Sequence, residues 1–113
     1  LLENLMSISL RQEDILLEFD KVSLTDPYYR KLGRLQRTLM DEMKMVEDSL
    51  SFLAKRQPKI ASFVDKELRD IKTSFDQAIE ALDEHQKRDI STNLQFAMTG
   101  INNLALMLNE SNP

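Results

Sequence analysis

The segment 90–109 contains no charged side chain, although Asp, Glu, Lys and Arg make up 30% of the chain. Its apolar residues are spaced alternately four and three apart, at Ile90, Leu94, Ala97, Ile101, Leu104 and Leu108. In an α-helix this spacing forms one narrow apolar seam, which has to be covered by partner helices. We therefore expect this segment to be the central helix of a bundle, buried nearly all round.

Polar residues in the same segment argue against a membrane-spanning helix. They are Ser91, Thr92, Asn93, Gln95, Thr99, Asn102 and Asn103. Hydroxyl and amide groups at this frequency would lack partners in the hydrocarbon core of a bilayer. We expect contact with protein and no direct membrane insertion by this part of the chain.

Composition favours one all-α domain spanning residues 1–113. The chain has two glycines, three prolines and 42% hydrophobic residues, enough for a single modest core. Residues that favour helices outnumber the β-branched residues typical of strands. Cysteine is absent, which excludes disulfides and thiolate metal sites. The apolar spacing is already in phase at Leu1 without an initiator methionine, so we expect a domain excised from a longer parent protein.

The first segment has the same four-three spacing, and Gln12 takes the one position where an apolar residue is missing. We expect a helix to about Val22, in which Gln12 is a buried amide that fixes the register. The apolar positions of this helix are Leu1, Leu5, Ile8, Ile15, Phe19 and Val22.

Two prolines predict the starts of the second and third helices. Asp26 can accept from free amides while Pro27 presets φ in the first turn, and Pro58 follows a basic helix end. The predicted stripe of the second helix is Tyr28, Leu32, Leu35, Leu39, Met43, Val46, Leu50 and Leu53, with Met40 and Met45 as further core residues. That of the third helix is Ile60, Val64, Leu68, Ile71, Phe75, Ala78 or Ile79, and Leu82, with Phe63 alongside.

The third helix is expected to end within 84–88, and Asp89 or Ser91 to cap the fourth. Short connections make neighbouring helices antiparallel, which predicts an all-α, antiparallel up-down-up-down four-helix bundle. The alternative is a three-helix bundle in which one end helix is completed by the parent chain.

One basic cluster, comprising Arg30, Lys31, Arg34 and Arg37, could in principle contact phosphate. Antiparallel hairpins would instead place its charges beside acidic residues of the neighbouring helix. For the cluster, the expected pairs are Arg30 with Asp20 and Glu18, and Arg34 with Asp14. In the hairpin of the second and third helices, the expected pairs are Lys66 with Asp48, and Asp70 with Lys44. With a net charge of −4, this pairing argues against a nucleic-acid partner.

The sequence predicts no catalytic, cofactor-binding or metal-binding residue. His85 is the single histidine, which excludes the paired Glu-x-x-His motifs of di-iron bundles. A phosphotransfer bundle needs an exposed histidine in the middle of a helix, whereas His85 lies near a predicted helix end. Gly33 and Gly100 stand alone in helical patterns, so there is no glycine-rich loop for nucleotide binding.

A second row on the last helix lies away from the main seam and comprises Phe96, Gly100, Asn103 and Met107. In one interpretation it packs against other helices of the same domain, and Gly100 permits their close approach. In the other it is a partner-contact face that docks onto other segments of the parent protein or onto a second copy.

Three runs resemble a helical segment of the large membrane-anchored Bacteroidota proteins that carry domain of unknown function 4175. They are LRQEDILLEF at 10–19, EDSLSFLAKR at 47–56 and FAMTGINNLALMLNE at 96–110. The resemblance implies amino-terminal transmembrane helices outside this segment, a long helical soluble region and work in the cell envelope. Some members are labelled ATPases, but the family has no assigned activity, and the sequence contains no phosphate-binding motif.

We therefore expect a non-catalytic helical interaction or spacer module of a large cell-envelope-associated protein. The alternative is an accessory helical part of an enzyme, an ATPase, whose catalytic residues lie outside this segment. In either case the expected location is a soluble region of a membrane-anchored envelope protein, on a side of the membrane that the sequence leaves open.

Overall fold

Four helices joined by short connections make up the chain. The computed structural model describes residues 1–111, and the helices are α1 (Leu2–Lys21), α2 (Pro27–Lys55), α3 (Pro58–Asp83) and α4 (Lys87–Ser111). Connections this short reverse the chain direction, so successive helices run antiparallel. The predicted antiparallel four-helix bundle is confirmed, with dimensions of 48 × 21 × 19 Å. The last two residues of the predicted domain, 112–113, lie outside the described residues.

Each helix occupies one corner of the bundle. α1 and α3 both pack against α2 and α4, with the most extensive contact between α3 and α4; the diagonal pairs do not approach closely within residues 1–111. The expectation that α4 is central and covered nearly all round is therefore wrong. Uncharged polar residues such as Thr92, Gln95 and Thr99 are exposed on its outer face. Lack of charge on a helix thus does not require burial, because hydroxyls and amides are also solvated by water.

The predicted seam of α4 is nevertheless the best-buried row of the bundle. Ile90, Leu94, Ala97, Ile101 and Leu104 are all 0% exposed. Burying one such aliphatic side chain contributes about 1.5–3 kcal/mol before the entropy of ordering it is subtracted. Packing of this seam against α1 and α3 is therefore a main source of stability.

The apolar face of α2 differs from the predicted one in its first half. Tyr28 and Leu35 are exposed, whereas Tyr29 and Gln36 are buried. A prediction from apolar residues alone does not include Gln36, because a glutamine is not expected in a core. Met45, predicted to fill the core, is 73% exposed.

Gln12 is fully buried as predicted, and its partner is Gln36 of α2. The Gln12 amide nitrogen donates to Gln36 Oε1 at 2.7 Å, and the reciprocal bond measures 2.9 Å. Both side chains are 0% exposed, so neither has water as an alternative partner. Because these bonds form in only one alignment of the helices, the pair fixes the register of α1 on α2.

Both prolines begin helices where the sequence predicts. Pro27 is the first residue of α2, and the Asp26 carboxylate accepts a hydrogen bond from the Tyr28 amide at 2.9 Å. Pro58 is likewise the first residue of α3. At the end of the bundle where α3 begins, α1 also begins and α4 finishes, and Leu1, Leu2 and Leu108 line one shared groove.

The boundary between α3 and α4 is set by His85. Its φ of 57° lies in the left-handed region that glycine usually occupies after a helix. The His85 amide donates to the Leu82 carbonyl at 3.3 Å, and the Gln86 amide donates to the Ala81 carbonyl at 2.9 Å. These two bonds are those of a Schellman motif. The turn lets α4 begin at Lys87, so the expected caps Asp89 and Ser91 lie inside the helix instead.

Tyr29 ties this turn to the rest of the bundle. Its hydroxyl donates to the Leu82 carbonyl at 2.7 Å. Its ring stacks on His85 with centroids 5.1 Å apart and meets Phe19 edge-on at 5.8 Å. Burial, together with the nearby charge of Asp83, raises the pKa of the Tyr29 hydroxyl above its usual value.

Replacing Tyr29 with phenylalanine is expected to lower the free energy of unfolding by about 1 kcal/mol, because one buried hydrogen bond is lost while the ring contacts remain. The raised pKa means that the folded state keeps the phenolic proton longer than the unfolded chain does. Tyr29 therefore loses its stabilising effect as the pH rises above about 10, and the difference between Y29F and wild type should narrow there. Urea unfolding on both sides of that pH measures both effects.

Tyr28→Phe is the matched control, because Tyr28 is on the same turn and is exposed. It should leave the free energy of unfolding almost unchanged at neutral pH. An equal loss in Y28F and Y29F would contradict the assignment of the buried hydrogen bond.

Candidate functional site

The predicted partner-contact residues lie along the junction of α3 and α4, at different depths. Phe96 is 62% exposed and Asn103 is exposed, whereas Gly100 is buried and Met107 packs partly against the core. The interpretation that the whole row packs inside the domain is therefore wrong for Phe96 and Asn103. Gly100 fulfils the other part of that interpretation, the close approach of helices.

Gly100 allows α4 to lie directly against α3. A Cβ atom at Gly100 would stand 2.6 Å from Cγ1 and 3.2 Å from Cδ1 of Ile71, and 3.5 Å from Oε2 of Glu67. Non-bonded carbons pack at about 3.5–4.0 Å, so a methyl group has no room here. The missing side chain determines how closely the two helices pack.

Two adjoining grooves run along the outer side of this junction and share Asn103. One, of about 360 Å³, lies beside Phe96, and the other, of about 490 Å³, lies beside Phe63 and Leu106. Together they form what we call the α3–α4 surface. Its residues are Lys59, Ile60, Phe63, Lys66, Glu67, Asp70, Thr73, Ser74, Phe96, Thr99, Gly100, Asn103, Leu106, Met107 and Glu110.

Phe63 and Leu106 belong to this surface, although the sequence did not single them out as contact residues. They are 40% and 57% exposed. Leu106 follows Asn103 by three residues, a spacing that places both on the same outer side of α4. Phe63 follows Ile60 by three in the same way, but its proximity to Leu106 depends on the register of α3 against α4. Helical spacing within one segment does not specify that register.

The charges of the α3–α4 surface are mixed. Lys66 Nζ donates to Asp70 Oδ2 at 3.0 Å within α3. This hydrogen bond and the Asp70 charge raise the pKa of the Lys66 ammonium. The expected pairs of Lys66 with Asp48 and of Asp70 with Lys44 are therefore wrong, since a partner one turn away on the same helix is nearer.

The basic cluster also has different neighbours from those expected. Arg37 pairs with Asp83 of α3 at 3.0 Å, and within residues 1–111 neither Arg30 nor Arg34 forms an ion pair. The pairing of these arginines with acids of α1 is therefore wrong. The three arginines of the cluster line one cleft with Leu82 and Asp83 of α3. α1 meets α2 elsewhere, where Arg11 pairs with Glu42 at 2.5 Å.

A cleft of about 610 Å³ lies at the end of the bundle formed by the connections 22–26 and 84–86. Arg30, Arg34 and Arg37 contribute to one side, and the exposed His85 to the other. His85 thus lies at a helix end, as the sequence indicates. The cleft is the second feature, after the α3–α4 surface, where several functional groups come together.

In residues 1–111 no group of three or more His, Cys, Asp or Glu side chains is placed to hold a metal ion. Over the same range, no helix combines the length and apolar character needed to cross a bilayer. Comparison with known protein families, curated proteins and solved structures found no match to this chain.

Proposed function

We propose that the chain is a non-catalytic interaction module of a large cell-envelope-associated protein, and that it binds a second copy of itself through the α3–α4 surface. One observation supports this most: Phe96 and Leu106 are 62% and 57% exposed on the same outer side of α4. Scattered apolar side chains are ordinary on protein surfaces, but apolar and aromatic residues grouped along grooves are typical of contact sites.

The distribution of charge favours a second copy as the partner. Lys59 of α3 and Glu110 of α4 lie at the same end of the surface, one on each helix. About a two-fold axis parallel to the helices, α4 of one copy lies over α3 of the other. Glu110 of each copy then faces Lys59 of the other. Each favourable pair occurs twice, as in any isologous contact.

The same arrangement also covers the apolar groups. With α4 over α3, Leu106 of one copy faces Phe63 of the other, because both lie beside one groove. Such a contact removes apolar surface from water at about 25 cal/mol per Å². A stable contact of this kind buries roughly 800 Å² of surface on each copy.

The proposed parent rests on the resemblance of 10–19, 47–56 and 96–110 to proteins that carry domain of unknown function 4175. A membrane-anchored parent holds its copies in one plane and so raises their local concentration. A weak contact between modules is then sufficient to join two parent chains. This favours an interaction role over that of a passive spacer.

Changing both exposed residues, F96S/L106S, is expected to weaken self-association at least tenfold, because hot-spot residues at a contact contribute 1.4 kcal/mol or more, about tenfold in affinity. Sedimentation equilibrium of the wild type and variant over a range of concentrations measures this. The matched control is L10S/M45S, whose side chains are 62% and 73% exposed on α1 and α2. It should leave the association unchanged.

Exchanging the charges gives an orientation-specific test. K59E and E110K should each weaken the dimer, and the combination K59E/E110K should restore it, because every pair again joins opposite charges. A wild type that is monomeric at all concentrations would rule out the second copy as partner. Equal effects of the two serine double variants would place the contact elsewhere.

A further inference from the structure

The cleft between the connections 22–26 and 84–86 combines cationic groups with apolar walls. Its volume of about 610 Å³ is in the range of small-molecule sites. Arg30, Arg34 and Arg37 follow one another at intervals of four and three residues, so successive turns of α2 present them to the same side. Three exposed guanidinium groups therefore lie along one wall of a cleft that is open to solvent.

Two of these three guanidinium groups are unoccupied by protein partners. Arg37 Nη2 donates to Asp83 Oδ1 at 3.0 Å, whereas Arg30 and Arg34 form no side-chain hydrogen bond or ion pair within residues 1–111. The other acid of the lining, Asp26, accepts from the Tyr28 amide as a helix cap. The three arginines outnumber Asp26 and Asp83, so the lining keeps one net positive charge, although the chain as a whole is acidic.

The lining also has apolar residues, beside the polar Thr25, Asp26, Asp83 and His85. Leu24, Pro27 and Leu82 contribute carbon atoms, and Gly33 leaves space that a side chain would narrow. Leu82 is fixed by the hydrogen bond from Tyr29 to its carbonyl. The apolar wall therefore exists before any ligand arrives, which limits the entropy lost on binding.

We infer that this cleft binds a small organic phosphate. Planar guanidinium groups bind two phosphate oxygens at once, and Arg30 and Arg34 are free to do so. The apolar part of the ligand lies against Leu24 and Leu82. A nucleic-acid strand is a poorer fit, because it needs a basic track much longer than three residues.

Phenyl phosphate and inorganic phosphate are suitable probes, used with the full chain in an NMR titration of backbone amides. Phenyl phosphate should shift amides of 24–37 and 82–86 saturably and bind more tightly than inorganic phosphate. The variant R30Q/R34Q should weaken phenyl phosphate binding at least about tenfold, because it removes charged hydrogen-bond donors. Both residues are exposed, and thermal unfolding checks that the variant is folded.

The matched control R56Q/R69Q removes the same charge from exposed residues outside the cleft. It should leave phenyl phosphate binding within about twofold of the wild type, since distant exposed charges are screened by salt. Equal weakening by the two double variants would overturn the site in favour of general charge attraction. Shifts that do not saturate, or equal affinity for the two probes, would also overturn the inference.

Discussion

Replacing Gly100 with alanine is expected to lower the free energy of unfolding by about 1–3 kcal/mol, the usual cost of forcing extra atoms into a packed core. The new methyl group would lie 2.6 Å from Ile71 Cγ1, so α3 and α4 have to move apart or Ile71 has to leave its rotamer. The loss should appear although alanine favours helices over glycine by about 1 kcal/mol. Urea unfolding monitored by circular dichroism measures it.

Gly33→Ala is a control within the same molecule. Gly33 is also buried in a helix, but a Cβ there would lie 3.6 Å from Arg37 Nη1 and 3.8 Å from Leu82 Cδ2. These are ordinary contacts, so G33A should raise the free energy of unfolding by about 0.5–1 kcal/mol through helix propensity. If both alanine variants gained stability, the close approach at Gly100 would not be a constraint on the bundle.

Truncating Ile71 provides a second check on the same contact. Ile71→Ala alone should cost about 2–5 kcal/mol by opening a cavity. In G100A/I71A the methyl at position 100 no longer meets Cγ1 and partly fills that cavity. The double variant should therefore be less destabilised than the sum of the single variants, by about 0.5–3 kcal/mol.

Gln12→Leu is expected to lower the free energy of unfolding by about 1–3 kcal/mol, because the Gln36 amide is then buried without a partner. Gln36 is 0% exposed, so water does not replace the two lost bonds. Replacing both glutamines, in Q12L/Q36L, should recover most of this loss, since no polar group is left unpaired. The four urea unfolding curves of a double-mutant cycle test this directly.

The coupling between these glutamines is what distinguishes a reciprocal pair from two separately buried amides. If the costs of Q12L and Q36L simply add in the double variant, the bonds seen in the structure do not contribute as described. We also expect α1 and α2 of Q12L/Q36L to pack against each other less specifically, because a wholly apolar interface between them tolerates other registers. Fewer and broader backbone amide signals in NMR spectra of the double variant would show this.

Much of the fold can be predicted from local patterns because each of those patterns acts within one helix. The seam of α4, the cap at Asp26 and the buried Gln12 depend on spacing and on chemistry within a few residues. The face of α2 is different, because its core position Gln36 is explained only by Gln12 on another helix. The left-handed backbone of His85 is not predictable from its neighbours either, because its ring stacks on Tyr29, which is far away in the sequence.

The candidate contact surfaces are predictable only in part, for a related reason. Phe96 and Gly100 could be placed on one side of α4 from spacing, but the contribution of Phe63 requires the register of α3. Spacing also predicts that the arginines of α2 lie together, and all three line one cleft. Which neighbour that cluster meets depends on the rotation of α2 about its axis, and a shift toward α3 replaces acids of α1 with Asp83.

The positions of α1 and α4 determine how the bundle responds to a pulling force. α1 begins and α4 finishes at the same end, where Leu2 and Leu108 line one groove. A force that separates these two ends pulls α1 and α4 apart from one side. Each layer, such as the one containing the Ser9–Asn102 hydrogen bond of 2.5 Å, then bears the force in turn. A force applied to opposite ends of the bundle would instead shear every layer at once, so we expect the bundle to unfold at a lower force when it is pulled by the beginning of α1 and the end of α4.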